Sequence, residues 1–444
     1  MILFSPIGAT DPLRNFFDGP MVHIVRHYRE RGLRKVVLFY TKEMSATAKK
    51  FDPYKRVIQA VAPDMEIEEI KTEIDQPQRF DEFINIFPQK IRELHEQAPK
   101  EKILLNVSSG TPQMQSTLAT LAVEYPYTLA VQVETPRGRA NRDLPHTLTN
   151  EIFELQLKDM EDSKPEAKNR CREPQLRTIR KFADKGRILS LINRYEYDAA
   201  FELAEHNEDI PDVVKKLLRH GGYRMKFRLQ DACNVIDAYN GENLCPFDGT
   251  QKTLTEYYLT IDVDQKRGDL FSVIIKAIPF LFELLLDVVF CDDKMQVKRS
   301  CVYEEKTFRL QRHLLAANNP KLLAYLDKEF STFRNNTSLS SRNLTAIICF
   351  AAGNSDDADK RELYRKLHGI LSRFGKNFFE LRNEVAHTIT DVDEKKFRLM
   401  VGLPSAELVK NFFELMLAAF GEDVRKQRGF YDRLNRWVSD ALEK

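Results

Sequence analysis

A parallel α/β domain followed by an α-helical remainder is the fold that this 444-residue sequence predicts, and three observations predict it. Short β-rich runs alternate with helical stretches over the first 136 residues. Two of the runs, KILLNV (102–107) and TLAVQV (128–133), are nearly continuous in apolar residues, as strands covered by helices on both faces must be. From about residue 188 onward almost everything reads as helix, broken at HGG (220–222), NGENLCPFDG (240–249), NNP (318–320) and AAGNSDD (351–357).

In chain order, the expected strands are ILFSPIG (2–8), KVVLFYT (35–41), MEIEEIKT (65–72), KILLNVSS (102–109) and TLAVQVET (128–135). Helical segments at 21–32, 43–62, 79–97 and 113–125 connect them, two of which contain an interrupting proline. Strand–helix–strand alternation implies parallel pairing, right-handed crossovers and helices on both faces of one sheet. After Thr135 the character changes. In 136–187 the only strand-like run is EIFELQL (151–157), and from Lys164 to Arg187 nine Lys or Arg face three acids, as in a basic linker that merges into a helix.

Hydrophobic residues make up 43% of the chain and charged residues 30%, with a net charge of +2, so no overall field argues for nucleic acid and any such surface is local. The six cysteines contain no C-x-x-C pair, which argues against a zinc site or a disulfide framework and fits a reducing cytoplasm. The most apolar run, 277–290, is too short for a bilayer and carries Glu283 and Asp287, so no membrane association is expected. His23 and His27 lie four apart, but no third ligand is evident, and no metal is expected there.

In open parallel sheets, ligands bind beyond the carboxyl ends of the strands at the switch point of strand order. Two loops stand there: SPIGATDPLR (5–14) and NVSSGTPQMQS (106–116). Ser108, Ser109, Gly110 and Thr111 offer hydroxyls and a Cβ-free position from which a phosphate or ribose can reach backbone N–H groups at a helix start. The same residues also suit a plain helix cap, Thr111 with Pro112 behind it. No G-x-G-x-x-G or G-x-x-x-x-G-K-[ST] pattern is present, which excludes the two familiar nucleotide fingerprints.

The other candidate is KNFFELRNEVAHTIT (376–390), an amphipathic pattern with Phe378, Leu381 and Val385 on one stripe. Arg382, Asn383 and His387 stand off that stripe. Histidine can move a proton near neutral pH, arginine can hold phosphate oxygens, and asparagine can orient either. Five residues turn a helix by about 140°, so Arg382 and His387 do not face one way, and a two-fold dimer that pools both pairs in one cleft would repair this.

These two motifs carry a resemblance. RNEVAH (382–387) fits the Arg–four residues–His signature of HEPN nucleases, and NVSSGTPQM (106–114) looks like the ligand loop of CARF domains. Front domain, helical middle and helical C-terminus occur in the right order, so the whole chain resembles the CARF–HEPN ribonucleases of type III CRISPR systems, the Csm-type branch in particular. The resemblance implies an N-terminal Rossmann-like CARF domain at 1–150, a basic linker and first helix at 151–187, a helical middle at 188–268 and an all-helical HEPN domain at 269–444. It implies a homodimer that binds a cyclic oligoadenylate activator, six adenylates favoured over four, through Thr10, Asp11, Thr41, Ser108, Ser109, Gly110, Thr111 and Gln113. It further implies cleavage of single-stranded RNA by Arg382, Asn383 and His387, with no cofactor or metal and no stable DNA binding. His146 is a candidate participant in slow degradation of the ring. Two alternatives stay open: a CARF-containing transcriptional regulator, and a HEPN toxin-type ribonuclease with another activator. The basic segments 164–187 and 213–228 suit either an RNA path or a solvated surface.

Overall fold

The computed structural model describes residues 1–136, 149–304, 306–330, 335–374, 378 and 391–443. The chain divides into two units, Met1–Ala183 and Asp184–Lys444.

The first unit is built on strands β1 (Ile2–Pro6), β4 (Lys35–Tyr40), β5 (Glu66–Lys71), β6 (Ile103–Asn106) and β7 (Thr128–Val133), with a small hairpin, β2 (Leu13–Arg14) and β3 (Phe17–Asp18), after β1. The sheet order is β5-β4-β1-β6-β7-β8, where β8 is Cys171–Arg172. The first five strands pair in parallel, with Phe4 opposite Val37 on one side and Leu105 on the other, and β8 closes the edge antiparallel to β7. Successive side chains point to opposite faces. Leu3, Val36, Leu38 and Leu104 therefore pack with α1 (Pro20–Tyr28) and α3 (Pro53–Val61). Phe4, Val37, Phe39 and Leu105 pack with α4 (Ile86–Gln97) and α5 (Pro112–Glu124). On that second face Phe87 meets Phe4 and Phe39 edge-on, at 5.3 and 5.0 Å between centroids, contacts worth about 0.5–1.5 kcal/mol each beyond area burial.

The sequence expectation of one helix over 43–62 becomes two, α2 (Lys42–Phe51) and α3, because Pro53 cannot continue the first and Asp52 turns the chain at φ 47°. The strand-like run 151–157 is instead α6 (Asn150–Lys158). Thr149 caps it, accepting from the Ile152 N–H, and of its apolar residues only Phe153 is buried. Strand β8 lies within the stretch read as a strandless linker; two residues are too few to leave a pattern.

The second unit is helix-rich around one apolar core. It contains α9 (Asp212–Met225), α10 (Leu229–Val235), α11 (Gly249–Arg267), the 21-residue α12 (Leu270–Phe290), α15 (Ser341–Asn354), α16 (Ala358–Leu371) and the helices Ser405–Phe420 and Phe430–Glu443. It also carries a three-stranded antiparallel sheet, Cys301–Glu304, Thr307–Gln311 and Asn336–Ser338, in a region read as helical. Among the described residues no helix is long and apolar enough to cross a membrane. Cys233 and Cys245 form a disulfide, against the expectation of reduced cysteines throughout; they are 12 apart in sequence, and the hairpin Ala238–Tyr239/Glu242–Asn243 brings them together.

Candidate functional site

Sheet order reverses around β1: the chain first adds β4 and β5 on one side, then β6 and β7 on the other. The β1 and β6 loops therefore meet at the switch point. They meet at backbone distance, since a Cβ on Gly8 would lie 2.5 Å from the Gly110 nitrogen, and Gly110 itself adopts φ +81°, a conformation that favours glycine.

A cavity of ≈ 130 Å³ opens here. Thr10, Arg14, Asn15, Phe17, Ser108 and Arg170 are among its lining residues. Of the eight sequence candidates, Thr10 and Ser108 line it. Asp11 is buried and serves the loop: its carboxylate accepts from the N–H groups of Gly8 and Met21, both at 3.1 Å, and from Ser109. Burial pushes its pKa up to about 6 against those hydrogen bonds. Ser109 is buried and accepts from Asn106 at 2.8 Å. The Ser108 hydroxyl accepts from the Val133 N–H at 2.8 Å, tying the β6 loop to the end of β7.

Thr111 is the cap of α5, accepting from the Met114 N–H at 3.5 Å while donating to the Pro77 carbonyl at 2.7 Å. Gln113 lies half-buried in the first turn of that helix. Thr41 is buried at the end of β4 and caps α2 in the same way.

Sequence reasoning missed the far wall. The β2–β3 hairpin turns through Asn15 and Phe16, both in the left-handed region at φ 53° and 65°. A buried ion network holds it. Asp18 receives a bidentate pair of bonds from Arg26 at 2.7 and 3.0 Å. Asp162 accepts from the Asp18 N–H and from Arg170, each at 2.8 Å. Arg170 also donates to the carbonyls of Glu134 and Asp18. His23 Nε2 accepts from the Arg170 N–H at 3.0 Å, while Nδ1 lies 3.5 and 3.7 Å from Asp18 and Asp162 and 3.2 Å from Arg170 Nη2. Burial would raise Asp162, but the His23 hydrogen bond and the Arg170 charge outweigh it and hold the carboxyl at about 2. Asp18, His23 and Asp162 have the atoms of a cation site, yet two guanidinium groups already engage the carboxylates.

Arg382, Asn383 and His387 lie outside the described residues, as does His146. Nearby, Phe378 is buried against Phe374, at 4.9 Å between centroids. In the basic segment 213–228, all six cations have partners within their own unit: Lys215 the Glu205 carbonyl, Lys216 Asp212, Arg219 Tyr223, Arg224 Glu256, Lys226 Asp198 and Arg228 Asp231.

The first unit carries a cavity at the switch point of a parallel sheet, where open α/β sheets bind ligands, and the second is a large helical unit. Comparison with known proteins says which family has both. The Cas_Csm6 CARF domain matches residues 64–171, the Csm6 6H domain residues 176–225 and the Cas_Csm6 HEPN domain residues 244–439. A CRISPR system endoribonuclease Csm6 of Mycobacterium tuberculosis is 29% identical over 98% of this chain and 97% of its own length. One from Enterococcus italicus is 34% identical over 49% of this chain and 51% of its own, and one from Streptococcus thermophilus is 26% identical over the full length of both. The solved structure of Enterococcus italicus Csm6 bound to cyclic hexa-2′-fluoro-hexa-dAMP has the same fold, with TM-score 0.67 and 22% identity over 99% of each chain. The chain belongs to the Csm6 family of CARF–HEPN endoribonucleases.

Proposed function

We propose that this endoribonuclease is switched on by a cyclic oligoadenylate of six units and then cuts single-stranded RNA without a metal. The observation that carries the reading is the switch-point cavity, where Thr10 and Ser108 from two loops face Arg14 and Arg170. Hydroxyls and guanidinium groups suit ribose and phosphate, and the related Enterococcus italicus protein was solved with a six-membered cyclic ligand. Asp11, Ser109, Gly110, Thr111, Thr41 and Gln113 act one layer behind, fixing the loops and the helix starts that the ring meets.

Two copies of the chain form the working unit, in the cytoplasm, as part of type III CRISPR antiviral defence. At the nuclease centre Arg382, Asn383 and His387 from both copies surround one phosphodiester. The substrate's own 2′-hydroxyl attacks the adjacent phosphorus, His387 moves the proton, and Arg382 stabilises the charge that develops on the phosphate oxygens. The products carry a 2′,3′-cyclic phosphate and a 5′-hydroxyl. Activation follows from the ring binding the competent dimer more tightly than the resting one.

The test is RNA cleavage in EDTA with cyclic tri-, tetra- and hexaadenylate. Cleavage is expected with the six-membered ring alone; cleavage without any ring, or its loss in EDTA, sinks the proposal. His387→Ala is expected to abolish cleavage while ring binding persists in calorimetry. Thr10→Glu, which sets a carboxylate where a phosphate is expected, should weaken ring binding at least tenfold.

A further inference from the structure

The Cys233–Cys245 bond lies where two structural segments of the second unit are joined. Arg224 lies next to the end of the segment that matches the 6H domain, Glu256 sits in the segment that matches the HEPN domain, and the bonded pair spans most of the connection between them. Cys233 is on α10, and Cys245 follows Leu244, whose carbonyl accepts from Arg224 Nη1 at 3.1 Å. Arg224 in turn forms a buried two-bond pair with Glu256, at 2.9 and 2.5 Å. Both cysteines line a small pocket with Arg224, Lys252 and Glu256, and neither is fully buried.

From this arrangement we infer that Cys233–Cys245 is a thiol–disulfide exchange site whose state sets how firmly the Leu244 carbonyl is held against Arg224. The co-reactant is a dithiol. One of its thiolates attacks Cys245 Sγ, the Sγ–Sγ bond breaks and Cys233 leaves as thiolate. The second thiolate of the reductant then attacks its own sulfur in the mixed disulfide and releases Cys245. Both cysteines take up protons, the protein gains two electrons and the dithiol becomes a disulfide. Lys252 lines the same pocket, and a positive charge there favours a departing thiolate. In the reduced state the exposed segment 240–243 keeps its two-stranded hairpin, which is marginal alone, and the Glu242–Arg433 ion pair at 3.3 Å.

Dithiothreitol and differential alkylation of the full-length protein test this. Without the dithiol, exposed Cys291 is expected to label while Cys233 and Cys245 stay protected. With it, both label, Tm falls by roughly 5–10 °C, and trypsin gains access at Lys252. Cys245→Ser is expected to match the reduced protein and to show no further response to the dithiol. Labelling of Cys233 and Cys245 at the Cys291 rate before reduction overturns the inference. So does reduction that changes neither Tm nor proteolysis.

Discussion

Each unit buries a carboxylate against a guanidinium, and the two sites differ in what the charges hold. In the second unit Arg224 and Glu256 are almost fully buried, with side chains 1% and 9% exposed and the guanidinium 3.6 Å above the centroid of the Phe430 ring. In the first unit Asp18 and Arg170 line the cavity with His23, Arg26 and Asp162 bonded to them, and much of the bonding in this network goes to backbone: the Asp18 N–H and the carbonyls of Asp18 and Glu134. The buried pair joins α9, α11 and the final helix, so its loss is felt as stability. The network positions loops, so its loss is felt at the cavity. Buried charge is costly in both places, and only the second use requires that it be near a ligand.

The contrast can be broken by substitution. Arg224→Met strands a buried Glu256 carboxylate and should cost about 3–5 kcal/mol in urea unfolding, while Arg224→Met with Glu256→Leu should recover most of that loss. Recovery failing would mean that the pair does more than neutralise itself.

A pH titration sharpens the same point. His220 neighbours Arg224; burial, then the Arg224 charge, lowers its pKa to about 4. Its Nδ1 lies 2.9 Å from the Ala232 carbonyl. Between its ordinary value of 6.5 and about 4 the unfolded chain binds a proton that the folded chain refuses, so stability falls as pH drops through that window. The full loss is about 3 kcal/mol. In His220→Leu the acid-side slope of a stability profile should flatten.

Asp162→Asn is the matching change in the first unit. It keeps an acceptor for the Asp18 N–H but removes the countercharge of Arg170, for an expected cost of about 2 kcal/mol. Cyclic hexaadenylate affinity should fall roughly tenfold by calorimetry. A drop in Tm with affinity unchanged would assign the network to stability alone and erase the distinction.

The parallel sheet was legible because helices cover both faces. Val36, Val37, Leu38 and Phe39 alternate between two cores, yet all four are apolar, so the strand shows as an unbroken run. The β6 loop was legible because Gly110 and Thr111 each answer a local need, a positive φ and a cap. The rest of the cavity was not. Asp18 and Arg170 are 152 residues apart, and no local pattern links them; Arg170 is one cation among many in a basic stretch. Phe16 at positive φ gives no warning either, because nothing in its side chain favours that conformation. The sheet at Cys301–Ser338 was hidden by strands as short and polar as Asn336–Ser338, whose pairing depends on partners distant in sequence.

The approach of Gly8 to Gly110 has a consequence for how such a protein changes over time. Main chain rests on main chain at that point, so the gap between the two loops cannot be tuned by exchanging side chains. Divergence toward a different ligand must therefore work along the rim, through positions such as Thr10, Arg14, Asn15 and Phe17, while the hinge of the opening keeps its width.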